Sequence, residues 1–167
     1  MNRAYESTAV VLDGTELSFQ RDPELYYQPS GRPGSPLPHI WLGHREFGPC
    51  VSTLDVAGKR RFVLLIASEG QPWRYAAASV SAHLGVKVEV ISIGPFMDYE
   101  DLYGRWCEVA GIETNGCILV RPDLYIAWRS NSLVADPTAA LDGVMSRILN
   151  LAPSAGIGAR TIPDPGL

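Results

Sequence analysis

The chain has 167 residues, with 14 Lys+Arg against 18 Asp+Glu, a net charge of −4, 46% hydrophobic and 19% charged residues. This composition excludes a disordered or fibrous chain and suits one domain of ordinary size. The pI near 5.3 argues against a nucleic-acid partner, which would need clustered Lys and Arg.

No apolar run approaches the ~20 residues that span a bilayer, so no membrane partner is expected. Met1–Glu6 has a basic residue but no apolar stretch behind it, unlike a secretory leader. The expected compartment is the cytoplasm.

Ser7–Leu12 is a short apolar stretch ended by Asp13-Gly14, a strong turn signal. From Arg21 to Pro38 the chain carries Pro23, Pro29, Pro33, Pro36 and Pro38, with Gly31 and Gly34 between them. That density forbids regular helix and disfavours a central strand. The expectation is an extended arm over residues 1–38, either disordered here or packed on a surface that this chain lacks. Tyr26 and Tyr27 are its candidate anchors on a second domain.

From His39 the pattern becomes regular. Val51–Val56 and Arg61–Ala67, joined by Ala57-Gly58-Lys59, read as a hairpin leading into a central strand. The run Phe62–Ala67 is apolar throughout, as a strand covered on both faces requires. Pro72 suits the first turn of a helix, whose apolar face is Trp73, Ala76, Ala77, Val80 and Leu84, with Gly85 as its stop.

Val86–Ile93 reads as the second strand, broken by Gly94-Pro95. Asp98 is expected to cap a helix striped by Leu102, Trp106, Val109 and Ala110 and ended by Gly111. Cys117–Val120 and Tyr125–Trp128 form a hairpin around Arg121-Pro122-Asp123. Asp136-Pro137 opens a final helix that buries Leu141, Val144, Met145, Ile148 and Leu149. Residues 151–167, rich in Pro and Gly, form an expected mobile tail.

Strand, helix, strand, helix, two strands and a helix make an α/β, thioredoxin-like fold over 39–150, a mixed sheet flanked by helices. The redox device of that fold is missing. Ser68-Glu69-Gly70-Gln71-Pro72-Trp73 holds no cysteine where a thiolate would use the helix N-terminus, and Asn115-Gly116, not a proline, precedes Cys117. Cys50, Cys107 and Cys117 form no C-x-x-C pair and have no nearby His at ligand spacing. They read as small buried apolar residues, and no metal site is expected. Neither G-x-G-x-x-G after a strand nor G-x-x-x-x-G-K-[ST] occurs, so no pyrophosphate cradle is expected. G-x-S-x-G is absent as well.

The remaining polar and aromatic candidates have two readings each. His39 is either a group aimed at a partner domain or a loop histidine bonded to backbone. His44 and His83 read as unpartnered surface residues. Arg121 and Arg129 offer an anion or interdomain contact, or else a pair with Asp123 that steadies its own hairpin by roughly 0–1 kcal/mol. Trp73, Trp106 and Trp128 read as core and interface.

Several segments, in order, resemble a known family. They are Tyr5-Glu6-Ser7 with Ala9-Val10-Val11 and Asp13-Gly14-Thr15; Arg21-Asp22-Pro23-Glu24-Leu25; and Pro33-Gly34 through Leu37-Pro38-His39-Ile40-Trp41-Leu42. Ser52-Thr53-Leu54-Asp55 with Gly58, and Gly116 through Asp123 ending in Ala127-Trp128-Arg129, complete the series. Together they resemble the C-terminal region of the FAD-dependent aromatic hydroxylases, in the phenol and 2,4-dichlorophenol hydroxylase branch.

The resemblance implies a non-catalytic, thioredoxin-like part of an enzyme that uses FAD, NADPH and oxygen to hydroxylate a phenol. It implies that the flavin-binding and substrate region is the partner, that a homodimer can form, and that no catalytic or cofactor-binding residue lies in this chain. The implied interdomain residues are Pro33, Gly34, Pro38, His39, Trp41, Arg121, Pro122, Asp123, Trp128 and Arg129. One departure stands out: the family loop reads Pro-Gly-x-Arg-x-Pro-His, and Pro36 occupies the Arg position here. A stand-alone thioredoxin-like redox or binding protein is the alternative reading.

Overall fold

The computed structural model describes residues 7–15, 22, 25–26, 28–44 and 48–151. The expected tail beyond Leu151 and the proposed anchor Tyr27 lie outside the described residues.

A four-stranded sheet forms the centre. The run Phe62–Ala67 supplies its inner strand β3 (Phe62–Ile66), with Val63, Leu64 and Leu65 fully buried. After β3 comes helix α2 (Gln71–Leu84). Pro72 sits in its first turn, Trp73, Ala76, Ala77 and Val80 are buried, and Gly85 takes the left-handed C-cap at φ 67°. The chain then returns as β4 (Val88–Ser92), parallel to β3 with Phe62 opposite Val88.

Strands β6 (Cys117–Val120) and β7 (Ile126–Ser130) complete the sheet in the order β4-β3-β6-β7, with β6 antiparallel to both neighbours. Helix α4 (Pro137–Ile148) begins as expected, with the Asp136 carboxylate accepting from the Ala139 N–H at 2.9 Å. One sheet face packs Leu64, Ile66, Leu119 and Ala127 against Trp73 and Val80 of α2 and Leu141 and Met145 of α4.

The opposite face carries a second layer that the sequence reading misjudged. Val51–Val56 is not a strand. It is a two-residue strand β2 (Val51–Ser52) followed by a short helix α1 (Thr53–Ala57). Ser52 and Asp55 form a reciprocal capping box: Ser52 Oγ accepts from Leu54 N at 3.1 Å, and Asp55 Oδ2 from Ser52 N at 2.8 Å. That local bonding outweighs the β propensity of the two valines.

The expected helix from Asp98 also resolves differently. Asp98 is committed to Ser92 and Arg74, so Tyr99–Asp101 extends as strand β5, and the helix shrinks to α3 (Trp106–Ala110). Asp101 takes over the capping work, accepting from Tyr103 N and Trp106 N. With β1 (Trp41–His44), strands β2 and β5 make a three-stranded sheet in the order β2-β1-β5. Its inner side packs Leu42, with Val56, Trp106 and Ala110 beside it, onto Val63, Leu65, Ile118 and Ile126.

The proline-rich arm also needs correction. Gly31–Pro38 lies on this domain itself, along the outer edge of β7. Gly34 N donates to Ile126 O, Ile126 N to Ser35 O, and Leu37 N to Leu124 O, each at 2.8–2.9 Å. Pro36 faces Tyr125 in an antiparallel bridge, a register that asks no N–H of the proline. Further along that edge, Val11 N donates to Ala127 O at 2.8 Å, and Val10 is buried. An edge strand offers unpaired backbone groups to any other chain; here the arm and the Val10–Val11 segment occupy them.

Candidate interdomain surface

The turn that would carry a redox centre is closed. After β3, Glu69 N donates to Thr114 O at 2.7 Å, and the indole Nε1 of Trp73 to Asn115 O at 2.9 Å. Cys117 is buried, and desolvation pushes its thiol far above the ordinary range; Cys107 is half-buried, and its thiol is raised by burial and by Asp101. Cys50 is exposed, so the expectation of three buried cysteines holds for Cys117 alone.

The same turn does not fit the pyrophosphate of FAD. A side chain at Gly70 would meet Ile66 Cβ at 2.8 Å, so this glycine serves close packing of turn on strand rather than open backbone facing a ligand. One open cleft, lined by Val10, Leu12 and Arg147, holds about 230 Å³, and another, lined by Arg61, Arg74 and Asp98, about 260 Å³. No group of three potential metal ligands occurs among the described residues.

The residues singled out from sequence divide into three groups. Pro33, Gly34 and Pro38 are buried in the arm against β7. Pro38 O also accepts from the buried Thr53 hydroxyl at 2.7 Å, which ties the arm to α1. Arg121 pairs with Asp123 at 2.6 Å across the β6–β7 turn, where Pro122 is exposed. This is the hairpin-steadying reading. Trp128 is half-buried and stands edge-on to Trp73, with ring centroids 5.6 Å apart.

Arg129 does not share Asp123. Its Nε and Nη2 donate to Asp13 Oδ2 at 2.8 and 2.5 Å, Nη2 also to Thr15 Oγ1 at 2.8 Å, and Nη1 to Ala110 O at 3.1 Å. Asp13 itself turns back on Thr15 N, the expected turn with Gly14 at φ 78°. Burial opposes ionisation of Asp13, but hydrogen bonds from Thr15 and Arg129 outweigh it and lower its pKa from the usual 3.8. One arginine thus fastens the N-terminal segment, β7 and the end of α3 together.

His39 and Trp41 form the third group, and both are exposed. His39 Nδ1 lies 2.6 Å from Ser52 Oγ, a side-chain partner rather than the expected backbone one. Its ring stands edge-on to Trp41, 4.7 Å between centroids. The other histidines have partners as well: His83 pairs with Asp142 at 2.7 Å, linking α2 to α4, and the His44 ring lies 5.1 Å from that of Tyr99.

Sequence reasoning missed three features. Gly31 lies so close to α3 that a side chain there would meet Ala110 O at 1.9 Å. Asp98 accepts from Ser92 N, Ser92 Oγ and Arg74 Nη2 at 2.8–2.9 Å; burial opposes its ionisation, yet these bonds lower its pKa. Leu102, expected in a buried stripe, is 45% exposed. None of the three carries a local signal; the misread Val51–Val56 segment does, in its Ser52-x-x-Asp55 spacing.

Comparison with known proteins places this arrangement. The profile of the aromatic-ring hydroxylase C-terminal family matches residues 30–152. The 2,4-dichlorophenol 6-monooxygenase of Cupriavidus pinatubonensis is 46% identical over 149 residues, covering 89% of this chain and 25% of that protein. Phenol 2-monooxygenase of a Pseudomonas species is 41% identical over 143 residues, covering 85% of this chain and 23% of that protein. Among solved structures, the flavin-dependent monooxygenase PieE, in complex with FAD and substrate, superposes with a TM-score of 0.79 at 42% identity. That match covers 90% of this chain and 25% of PieE. The chain spans about a quarter of the length of the curated relatives it matches.

Proposed function

Because the chain belongs to the aromatic-ring hydroxylase C-terminal family, we propose that it is the non-catalytic C-terminal domain of an FAD- and NADPH-dependent phenol or chlorophenol monooxygenase. One observation carries this reading. Nine-tenths of the chain aligns at 46% identity with a quarter of a 2,4-dichlorophenol 6-monooxygenase, and the remaining three-quarters is where flavin and substrate chemistry would reside.

The domain is thioredoxin-like in topology. The parallel β3–α2–β4 unit, the antiparallel β6 and β7, and the sheet order β4-β3-β6-β7 support that assignment. Its role is structural: it covers the flavin-bearing region and contributes to a homodimer. The arm upstream of Gly31, with His39, Trp41 and the Arg121–Asp123 turn, supplies interdomain contacts. Three unpaired cysteines accord with a reducing compartment, here the cytoplasm.

Two measurements test the reading. The purified chain is expected to be colourless and to give no phenol-dependent NADPH oxidation. A chimera in which this chain replaces the matching quarter of the Cupriavidus enzyme is expected to retain flavin and hydroxylate 2,4-dichlorophenol. Flavin bound and turned over by the chain alone, or a chimera without flavin, refutes it.

A further inference from the structure

Strand β4 is an edge of the central sheet, with β3 on one side only. Ile93 N donates to Ile66 O at 2.9 Å. Alternation along the strand therefore aims the Glu89 and Ile91 amides at β3, and the Val88, Val90 and Ser92 amides outward. Two of those three are taken by side chains. Val88 N donates to Ser81 Oγ at 3.0 Å, and Ser92 N to Asp98 Oδ2 at 2.9 Å. Between them, the Val90 N–H has no acceptor among the described residues.

Val90 lines the open cleft of about 260 Å³, together with Val56, Lys59, Arg61, Arg74 and Tyr99. The two carboxylates of the cleft are already engaged: Asp98 lies 2.8 Å from Arg74, and Glu89 2.6 Å from Arg61 Nε. The Arg61 contact pairs charge without an aligned hydrogen bond, and its buried Nε donates to no acceptor. Lys59 has no carboxylate at ion-pair distance among the described residues. Three cations facing two carboxylates leave one positive charge in excess.

The backbone that delivers these cations is unusual. Lys59 and Arg60 both take the left-handed conformation, at φ 77° and 59°. Residues with side chains seldom adopt it, and where they do they cluster at ligand clamps.

We propose that this cleft binds a small oxyanion, a carboxylate or phosphate group, between the Val90 N–H, the Arg61 guanidinium and the Lys59 ammonium. Sheet edges with free amides form anion-binding concavities, and oxyanions take their strongest hydrogen bonds from charged donors. At about 30 Å³ per water, the cleft has room for roughly eight waters, enough for the group and a small organic body attached to it. The inference does not depend on the function proposed above.

Proton–nitrogen correlation spectra of the isolated chain test it, with sodium phosphate and sodium acetate titrated separately against sodium chloride at equal ionic strength. The Val90 amide should shift saturably, with half-saturation at or below about 10 mM for at least one oxyanion. Chloride should not reproduce the shift. Lys59→Gly removes the ammonium yet suits the left-handed backbone, and it should weaken binding at least about fivefold. Arg61→Gln should weaken it likewise, and the same spectra show whether each variant keeps the fold. Phosphate bound more tightly than acetate makes the ligand a phosphate; the reverse order makes it a carboxylate.

An equal shift with chloride reduces the cleft to general charge screening and overturns the inference. So does a Val90 amide unmoved up to about 100 mM of either oxyanion, or binding unaltered by Lys59→Gly. Slow hydrogen exchange at Val90 in the ligand-free wild type shows the donor already taken, and overturns it too.

Discussion

Removing the Arg129 guanidinium should loosen three elements at once. Arg129 and Asp13 side chains are 11% and 18% exposed, although the Asp13 backbone lies open. Exposed ion pairs contribute about 0–1 kcal/mol, whereas stripping one partner from a fully buried pair costs about 3–5 kcal/mol. This pair sits between those limits and adds bonds to Thr15 Oγ1 and Ala110 O. Arg129→Ala should therefore cost about 2–3 kcal/mol near pH 7. Arg129→Lys should recover part of that, because an ammonium keeps the charge but not the fork.

Urea denaturation of the wild type, Arg129→Ala, Asp13→Ala and the double variant would give a coupling energy of about 1–3 kcal/mol. The pH dependence has a fixed sign. Asp13 has a folded pKa below its unfolded value, so its contribution is full above about pH 4 and is lost as pH falls through the folded pKa. The coupling should therefore shrink in acid. Coupling under about 0.5 kcal/mol at neutral pH, or coupling unchanged in acid, would refute the reasoning.

Gly31→Ala should destabilise the domain by about 3 kcal/mol or more, since the new methyl meets backbone rather than a movable side chain; hydrogen exchange at the Gly34 and Leu37 amides should speed up at least about tenfold as the arm lifts. Ser52→Ala removes a capping acceptor and the His39 partner together. It should cost about 1–2 kcal/mol in thermal or chemical denaturation, while His39→Ala alone should cost less. In a thiol titration with a disulfide reagent, Cys50 should react at once in the native chain, Cys107 more slowly, and Cys117 only after unfolding, following their exposure and the raised thiols of the latter two. Immediate reaction of Cys117 would contradict its burial.

Much of the central sheet was legible because its signals are local. The Phe62–Ala67 run, Pro72 and Gly85 around α2, Asp136-Pro137 before α4 and the Arg121-Pro122-Asp123 turn each work within a few residues. The failures came where local propensity met a stronger partner. Asp98 has the chemistry of a helix cap, but Ser92 and Arg74 claim it from across the chain. The two valines of 51–56 suit a strand, but the Ser52–Asp55 box closes a helix first.

For the candidate surface the division is similar. Residue order and type sufficed to identify the family segments and to mark His39 and Trp41. Composition could not say that Leu102 leaves its expected helix, crosses Gly43 and joins Trp41 in the open, because that depends on β5 pairing with β1 some 57 residues away in register. Nor could it say that Arg129 passes over the nearby Asp123 for Asp13, 116 residues distant. The sequence by itself determined the central strands, the two long helices and the absence of redox and nucleotide motifs, since each follows from short-range sterics and periodicity. Tertiary structure alone decided which edge the Gly31–Pro38 segment covers and which apolar side chains stay exposed among the described residues, because burial is a property of the neighbours a residue meets and not of its own side chain.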